Sequence, residues 1–444
     1  MSWKDYQNKE NERSRIVSVT KRVIISASII GMGWYGLSYA KQIPIKVAGV
    51  TKALTGAAKL KTEQFSSIVK DIPFSSLQNA PKEVKVFRDG RDWTLQMTFD
   101  AELQKFIYDK LRQYQVDWAG VSVIDANTGA VKALVSYSSE DPDIDHLSLR
   151  ATFPAASIFK VITAGAAVQE KHLRPDSILT YGGDTRYVYK RSLTSDRGSA
   201  ITLGDAFAHS TNGIFAKVGA RYLTKNLITE YASAFGFNQT MPFEFPVQES
   251  LFKGCADDDD IVDDGKTAAG LGNVTLSPIH ASLIAASVVN QGVMMKPYSI
   301  EKIMNDDQET YFEAKPEVWK SPLTSETSKQ IQRMMRMTVQ NGTARRGFRD
   351  YRRDNILSSL DIGGKTGSLT GKDPGGKNEW FVGFAKDDKE ALAFGIVIVD
   401  KKYWKIKPSE LAKSLIRYHF KNMKDAEPKA ITSNQSGKQS KNTL

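Results

Sequence analysis

Apolar and polar positions change period along this chain, and the changes mark its organisation. Residues 84–99 carry a strand-like pattern, after which Asp100 is placed to cap an amphipathic helix whose apolar face is Leu103, Phe106, Ile107 and Leu111. A hairpin follows, with strands at 120–124 and 130–137. They are joined through Asp125-Ala126-Asn127-Thr128-Gly129, whose Asn and Gly suit the positive φ of a tight turn. From Ser157 to about Gln291 the spacing is largely helical, most clearly at 203–222 and 277–289. Short apolar strands return at 363–369, 380–385 and 392–399, separated by turns rich in Gly, Pro and Asp, and a helix is expected over 408–422. Early strands, central helices, late strands and a closing helix predict an α+β fold. Its antiparallel sheet is built from both ends of the domain, flanked by helices, with an inserted all-helical region.

The N-terminal pattern is different. Residues 23–40 carry no charge, and at about 1.5 Å per helical residue they nearly match the hydrocarbon thickness of a bilayer. Lys4, Lys9, Arg13, Arg15, Lys21 and Arg22 precede them, which by the positive-inside rule keeps the N-terminus in the cytoplasm. The expectation is a single-pass cell (inner) membrane protein with residues 1–22 cytoplasmic, 23–40 a transmembrane anchor and the rest extracytoplasmic. Ser38-Tyr39-Ala40 also fits a signal-peptidase site, so a cleaved leader is the alternative. Residues 41–84 read as a stalk or short N-terminal module, 85–421 as the main domain, and 422–444, rich in Lys, Ser, Asn and Gln, as a disordered tail.

Composition narrows the function classes. The net charge of +11 favours anionic surroundings, but the basic residues form no long block and accompany no zinc-finger or stacking-aromatic signature, so nucleic acid is not an expected partner. The single cysteine, Cys255, excludes an internal disulfide and reads as a small core or loop residue. The five histidines lack metal-ligand spacing, and neither a metal nor a cofactor is expected. Asp257 to Asp260 with Asp263 and Asp264 read first as a solvated acidic loop and second as a cation site. Ile261 and Val262 break the alternation a calcium loop needs.

Candidate chemistry begins with Ser-x-x-Lys. The pattern occurs at Ser18, Ser38, Ser67, Ser157, Ser250 and Ser299, so only context can select among them. Ser157 alone opens a long apolar helix, after Pro154, and Lys160 then lies on the same helix face. A serine hydroxyl is a weak nucleophile at neutral pH, and a desolvated lysine beside other cations can be neutral enough to take its proton. Ser210-Thr211-Asn212 follows the next helical run. Further on, Lys365-Thr366-Gly367-Ser368 heads a predicted strand, with a lysine, two hydroxyls and a closely approachable backbone suited to a carboxylate.

Ser-x-x-Lys, Ser-x-Asn and Lys-Thr-Gly in this order resemble the transpeptidase domain of penicillin-binding proteins, acyl-serine enzymes that share the signature with the serine β-lactamases. The likeness extends to 97–104, 123–131, 270–278, Asn341-Gly342-Thr343-Ala344 and 380–384, and covers about residues 85 to 421. It implies a monofunctional D,D-transpeptidase that cross-links peptidoglycan stem peptides and is acylated by β-lactam antibiotics. Ser157 would be the nucleophile and Lys160 its base. Ser210 would relay a proton, Asn212 would hold the substrate amide, and Lys365 would set the field. Thr366, Gly367 and Ser368 would bind substrate, with the N–H groups of Ser157 and Ser368 as the oxyanion hole. The segment before residue 84 is too short for a glycosyltransferase domain or a long pedestal, which leaves room for a separate glycan-polymerising partner. D,D-carboxypeptidation and a non-catalytic β-lactam-binding or scaffold role are the alternatives.

Overall fold

The computed structural model describes residues 60–426 apart from 61, 71, 73–76, 78, 142, 145, 185 and 255–259. The expected membrane segment, Cys255 and Asp257 to Asp259 lie outside these residues. Among the described residues no helix is long and apolar enough to cross a membrane.

Helix α1 (Thr62–Val69) precedes strands β1 (Glu83–Arg88) and β2 (Arg91–Met97). The described part of the segment expected as a stalk or short N-terminal module is packed: Leu60, Ile68, Val69, Ile72 and Leu77 join the main core, and Phe65 meets Phe312 at 4.8 Å between ring centroids. Helix α2 (Ala101–Tyr114) starts where the sequence places it. Asp100 accepts from Leu103 N at 2.9 Å, a cap worth about 1 kcal/mol.

Strands β3 (Trp118–Asp125) and β4 (Val131–Ser138) form the anticipated hairpin. Its turn is closed by the Asp125 carboxylate, which accepts from Asn127 N and Thr128 N, and Gly129 alone in it takes positive φ. The expected left-handed Asn127 is therefore not needed: an Asx turn supplies the reversal.

Helix α3 (Lys160–Lys171) leads into the insert, which is not all-helical. Strands β5 (Ile178–Tyr181) and β6 (Ser199–Thr202) pair within it. The helix expected over 203–222 is broken into α4 (Leu203–Ala208), α5 (Asn212–Lys217) and a π turn at Val218–Tyr222, because Ser210 takes φ +57° and stops the first segment. Helix α6 (Ile261–Ala268) absorbs part of the acidic stretch. Asp260 caps it, and Asp263 and Asp264 lie in its first turn, where negative charge is stabilised by the helix dipole.

Helix α7 (Pro278–Val289) is buried on every side and touches the sheet through Ser282, whose Oγ lies 2.9 Å from Ser122 Oγ. Strands β7 (Ile300–Asn305) and β8 (Thr310–Glu313), not anticipated, join β1 and β2 in a four-stranded sheet of order β1-β2-β7-β8. Helix α8 (Ser325–Gln340) then leads to β9 (Asp361–Lys372), β10 (Gly375–Lys386), β11 (Ala391–Asp400) and α9 (Pro408–Ala426). The last helix continues past the expected end at Asn422.

The main sheet has the order β9-β10-β11-β3-β4 and is antiparallel throughout, with Val399 opposite Trp118 and Leu392 opposite Asp125. Two strands from the start of the domain thus close against three from its end, as expected. Along β11 every residue is buried, with Ala393, Val397 and Val399 in one core and Leu392, Phe394, Ile396 and Ile398 in the other. The alternation shows helices covering both faces, α7 on one and α2 and α9 on the other. Strand β9 is an edge, and its outer side carries the site.

One ionic cluster ties α9 to the rest. His419 Nε2 lies 2.8 Å from Glu390 Oε2, and Nδ1 lies 3.8 Å from Asp100 Oδ2. Burial opposes a charged imidazole, but attraction to Asp100 and Glu390 outweighs it and raises the pKa to about 9. Because the folded value exceeds the unfolded one, this stabilisation is complete below about pH 6.5 and lost as pH rises through about 9. The difference corresponds to roughly 3 kcal/mol. His419→Gln should therefore lower the denaturant midpoint at pH 6 and have much less effect at pH 10. An equal loss at both pH values would contradict a charged His419.

Candidate active site

The nucleophile candidate is held at a strained turn. Phe153–Pro154 pairs with Thr275–Leu276, and Trp380 Nε1 donates to Pro154 O at 2.9 Å, fixing the chain as it arrives. Ala156 then takes φ +48°, an uncommon conformation for a residue with a Cβ. Ser157 lies in a single 3-10 turn, Ala156–Phe159, and the α-helix begins at Lys160. The sequence therefore places the serine and lysine on one face correctly, but the serine is in a tighter turn than the expected α-helix.

Gly270 makes that turn possible. It has φ +79°, and a Cβ there would stand 2.0 Å from Ala156 O. Gly270→Ala should cost about 3 kcal/mol of stability, read by denaturant unfolding, because both the backbone conformation and the contact forbid a side chain. A loss below about 0.5 kcal/mol would contradict this packing, since that is the size of an ordinary surface change.

Lys160 is fully buried. Its Nζ lies 2.6 Å from Ser157 Oγ, 2.8 Å from Asn212 Oδ1 and 2.7 Å from Ala269 O. Asn212 Oδ1 and the Ala269 carbonyl can only accept. A neutral amine would give its two N–H bonds to them and turn its lone pair toward the Ser157 hydroxyl. Burial, and after it the charge of Lys365, lower the Lys160 pKa well below that of an ordinary lysine. The geometry and the electrostatics agree on an amine able to take the serine proton.

Lys365 is also fully buried, and burial lowers its pKa to about 7. It donates to Ser210 Oγ at 2.8 Å and to Thr366 O at 2.9 Å. Asn212 is oriented from its other end, where Nδ2 donates to Arg186 O at 3.1 Å. The Phe215 and Phe207 rings lie 5.8 and 5.5 Å from the Nζ atoms of Lys160 and Lys365 respectively.

Strand β9 passes the serine turn closely. A Cβ at Gly367 would meet Ile158 Cγ1 at 3.2 Å, so the glycine allows the strand to approach. Ser157, Ser210, Asn212, Thr366, Gly367 and Ser368 all line one cleft of about 350 Å³. All eight candidates are therefore in one place: six on the wall of the cleft and the two lysines behind it. Of the other Ser-x-x-Lys serines, Ser250 is buried and accepts from Ser277 N, Ser299 is buried and donates to the Glu244 carboxylate, and Ser67 lies on α1. Ser18 and Ser38 lie outside the described residues.

Two contributors carry no clear sequence signal. The Ala269 carbonyl is a backbone group, which no side-chain pattern reveals. Thr343 places its Oγ1 2.5 Å from Thr366 Oγ1. It was visible only as part of Asn341-Gly342-Thr343-Ala344.

Such an arrangement, a serine at a strained turn with an amine poised on its hydroxyl and a second serine–lysine pair opposite, is suited to serine-based acyl transfer. The chain matches the profile of the penicillin binding protein transpeptidase domain over residues 119–417 and belongs to that family. It is similar to penicillin-binding protein 3 of Bacillus subtilis, 29% identical over 345 residues, covering 69% of this chain and 48% of the relative. It also resembles peptidoglycan D,D-transpeptidase PbpA of Mycolicibacterium smegmatis, 26% identical over 352 residues, covering 70% of this chain and 68% of that one. The match therefore spans about half the length of the first relative and two thirds of the second. Among solved structures, PBPA from Mycobacterium tuberculosis shares the fold with a TM-score of 0.60 and 20% identity, over 73% of this chain and 81% of the other. The imipenem acyl-enzyme complex of that protein aligns with a TM-score of 0.60 and 20% identity, over 75% of this chain and 80% of the other.

Proposed function

We propose that the protein is a D,D-transpeptidase that cross-links peptidoglycan stem peptides through an acyl-serine intermediate and is acylated by β-lactam antibiotics. The observation that carries this reading is the Lys160 amine 2.6 Å from Ser157 Oγ, with its other two partners able only to accept. Ser157 Oγ attacks the carbonyl between two terminal D-alanines as its proton passes to Lys160. The oxyanion is received by the N–H groups of Ser157 and Ser368, the latter on an edge strand whose outer groups lack a neighbouring strand. Ser210, hydrogen-bonded to Lys365, returns a proton to the departing D-alanine. Asn212 holds the substrate amide, and Thr366 and Ser368 receive its carboxylate. An amine from a second stem peptide then breaks the ester, and the serine recovers its proton.

The uncharged segment 23–40 and the basic residues before it support anchoring in the cytoplasmic membrane with the catalytic domain outside, where this substrate is found. Incubating the protein with a stem pentapeptide and an amine acceptor tests the reaction class. Release of D-alanine together with cross-linked dimer is expected. D-Alanine without dimer would make water the acceptor and the protein a carboxypeptidase, and neither product would favour a scaffold.

A further inference from the structure

The cleft continues past the motif residues to a wall formed by Arg346, Gly347 and parts of the segment 404–410. Two carboxylates line it, Glu379 and Glu410, and the Glu410 carboxylate accepts from Lys407 N at 3.3 Å. Lys160 and Lys365 lie behind the cleft, with their Nζ atoms engaged by Ser157, Asn212, Ala269, Ser210 and Thr366. Two cationic side chains line it, Lys407 and Arg346. Lys407 is neutralised, because its Nζ lies 2.8 Å from both carboxylate oxygens of Glu379. Arg346 is exposed, and no described residue forms an ion pair or side-chain hydrogen bond with its guanidinium.

Arg346 and Thr343 sit on the same side of a helical turn, in which Arg345 N donates to Gly342 O and Phe348 N to Ala344 O. Both face the cleft. Thr343 Oγ1 lies 2.5 Å from Thr366 Oγ1 and 3.3 Å from Ala208 O. Only one proton can lie between the two hydroxyls. If Thr343 donates to Ala208 O, Thr366 donates to Thr343 and has nothing left for a ligand. If Thr343 donates to Thr366, the Thr366 proton is free to point into the cleft. A hydroxyl binds an anion more tightly beside a full charge, because charge-assisted hydrogen bonds are about twice as strong as neutral ones. Burial lowers the pKa of Lys365 to about 7, so it holds its charge less firmly than an exposed guanidinium.

We propose that Arg346 is the permanent cation that receives the C-terminal carboxylate of the donor peptide, and that Thr343 is a positioning residue that aims the Thr366 hydroxyl at the same group. The assignment rests on the donor-peptide reading above. Guanidinium suits the role because it stays charged and offers a planar pair of donors to a carboxylate.

The test compares acylation by benzylpenicillin, which carries a carboxylate, with acylation by its methyl ester, which does not. Arg346→Gln should slow benzylpenicillin about 10- to 100-fold and leave the ester within about twofold of the wild-type rate. Thr343→Val should slow benzylpenicillin by about tenfold through weaker binding rather than a slower bond-forming step, and Thr343→Ser should restore it. Equal slowing of both compounds, or no slowing of benzylpenicillin, would overturn the assignment. Should the ester fail to acylate the wild type, Arg346→Lys decides. It must react with benzylpenicillin at least about fivefold faster than Arg346→Gln, and equal rates overturn the proposal. Acylation of the wild type by neither compound would sink the transpeptidase reading and this inference with it.

Discussion

Ser157→Ala protein will take up no covalent label from fluorescent penicillin, while its unfolding transition stays within about 1 kcal/mol of the wild type. The chemical loss is total because the oxygen that forms the ester is gone, and catalytic serines removed elsewhere cost on the order of 10⁶ in turnover. The structural loss is small because Ser157 is not a core residue and the buried amine keeps two partners, Asn212 Oδ1 and Ala269 O. Gel fluorescence beside a denaturant titration separates the two effects. Labelling of the variant at the wild-type level would place the nucleophile elsewhere, despite the convergence on Ser157.

The second large effect concerns the proton. Lys160→Arg keeps a cation of similar length but one that stays protonated, so it cannot accept from Ser157. Acylation should slow by roughly 10³- to 10⁴-fold, the upper part of the range for positioned general bases. Single-turnover labelling across pH sharpens the assignment. With a Lys160 pKa lowered by burial and by Lys365, the wild-type rate rises as pH increases through that value and then levels off. The arginine variant should lose this limb. An arginine variant within about tenfold of the wild type would move the base to another group, with Lys365 the nearest alternative.

The sheet was legible because its central strands are short, apolar and bounded by turn residues, and because helices bury both faces of β11. Strands β7 and β8 were missed for the opposite reason. Ile300–Asn305 and Thr310–Glu313 lack a regular alternation of apolar and polar residues, Glu301 beside Lys302 and Tyr311 beside Phe312, and are too short to distinguish from a loop. The break after α4 was also hidden. Apolar spacing runs on through 203–222 and carries no mark of the left-handed backbone at Ser210, whose hydroxyl meets Lys365, distant in sequence, at 2.8 Å. Side chains at the site were found by type and order. What the sequence could not express was the backbone around them: the Ala269 carbonyl that takes one proton of Lys160, the left-handed Ala156, and the glycine at 270 that leaves it room. These features set one of six Ser-x-x-Lys patterns apart as the candidate reaction centre, while the Ser250 hydroxyl accepts from Ser277 N and the Ser299 hydroxyl donates to Glu244.

Mass spectrometry of the purified protein after exposure to benzylpenicillin tests the central claim most directly. The account predicts one adduct with the full mass of the antibiotic, located by peptide mapping on Ser157. An adduct on any other serine, or none on folded protein, would contradict it.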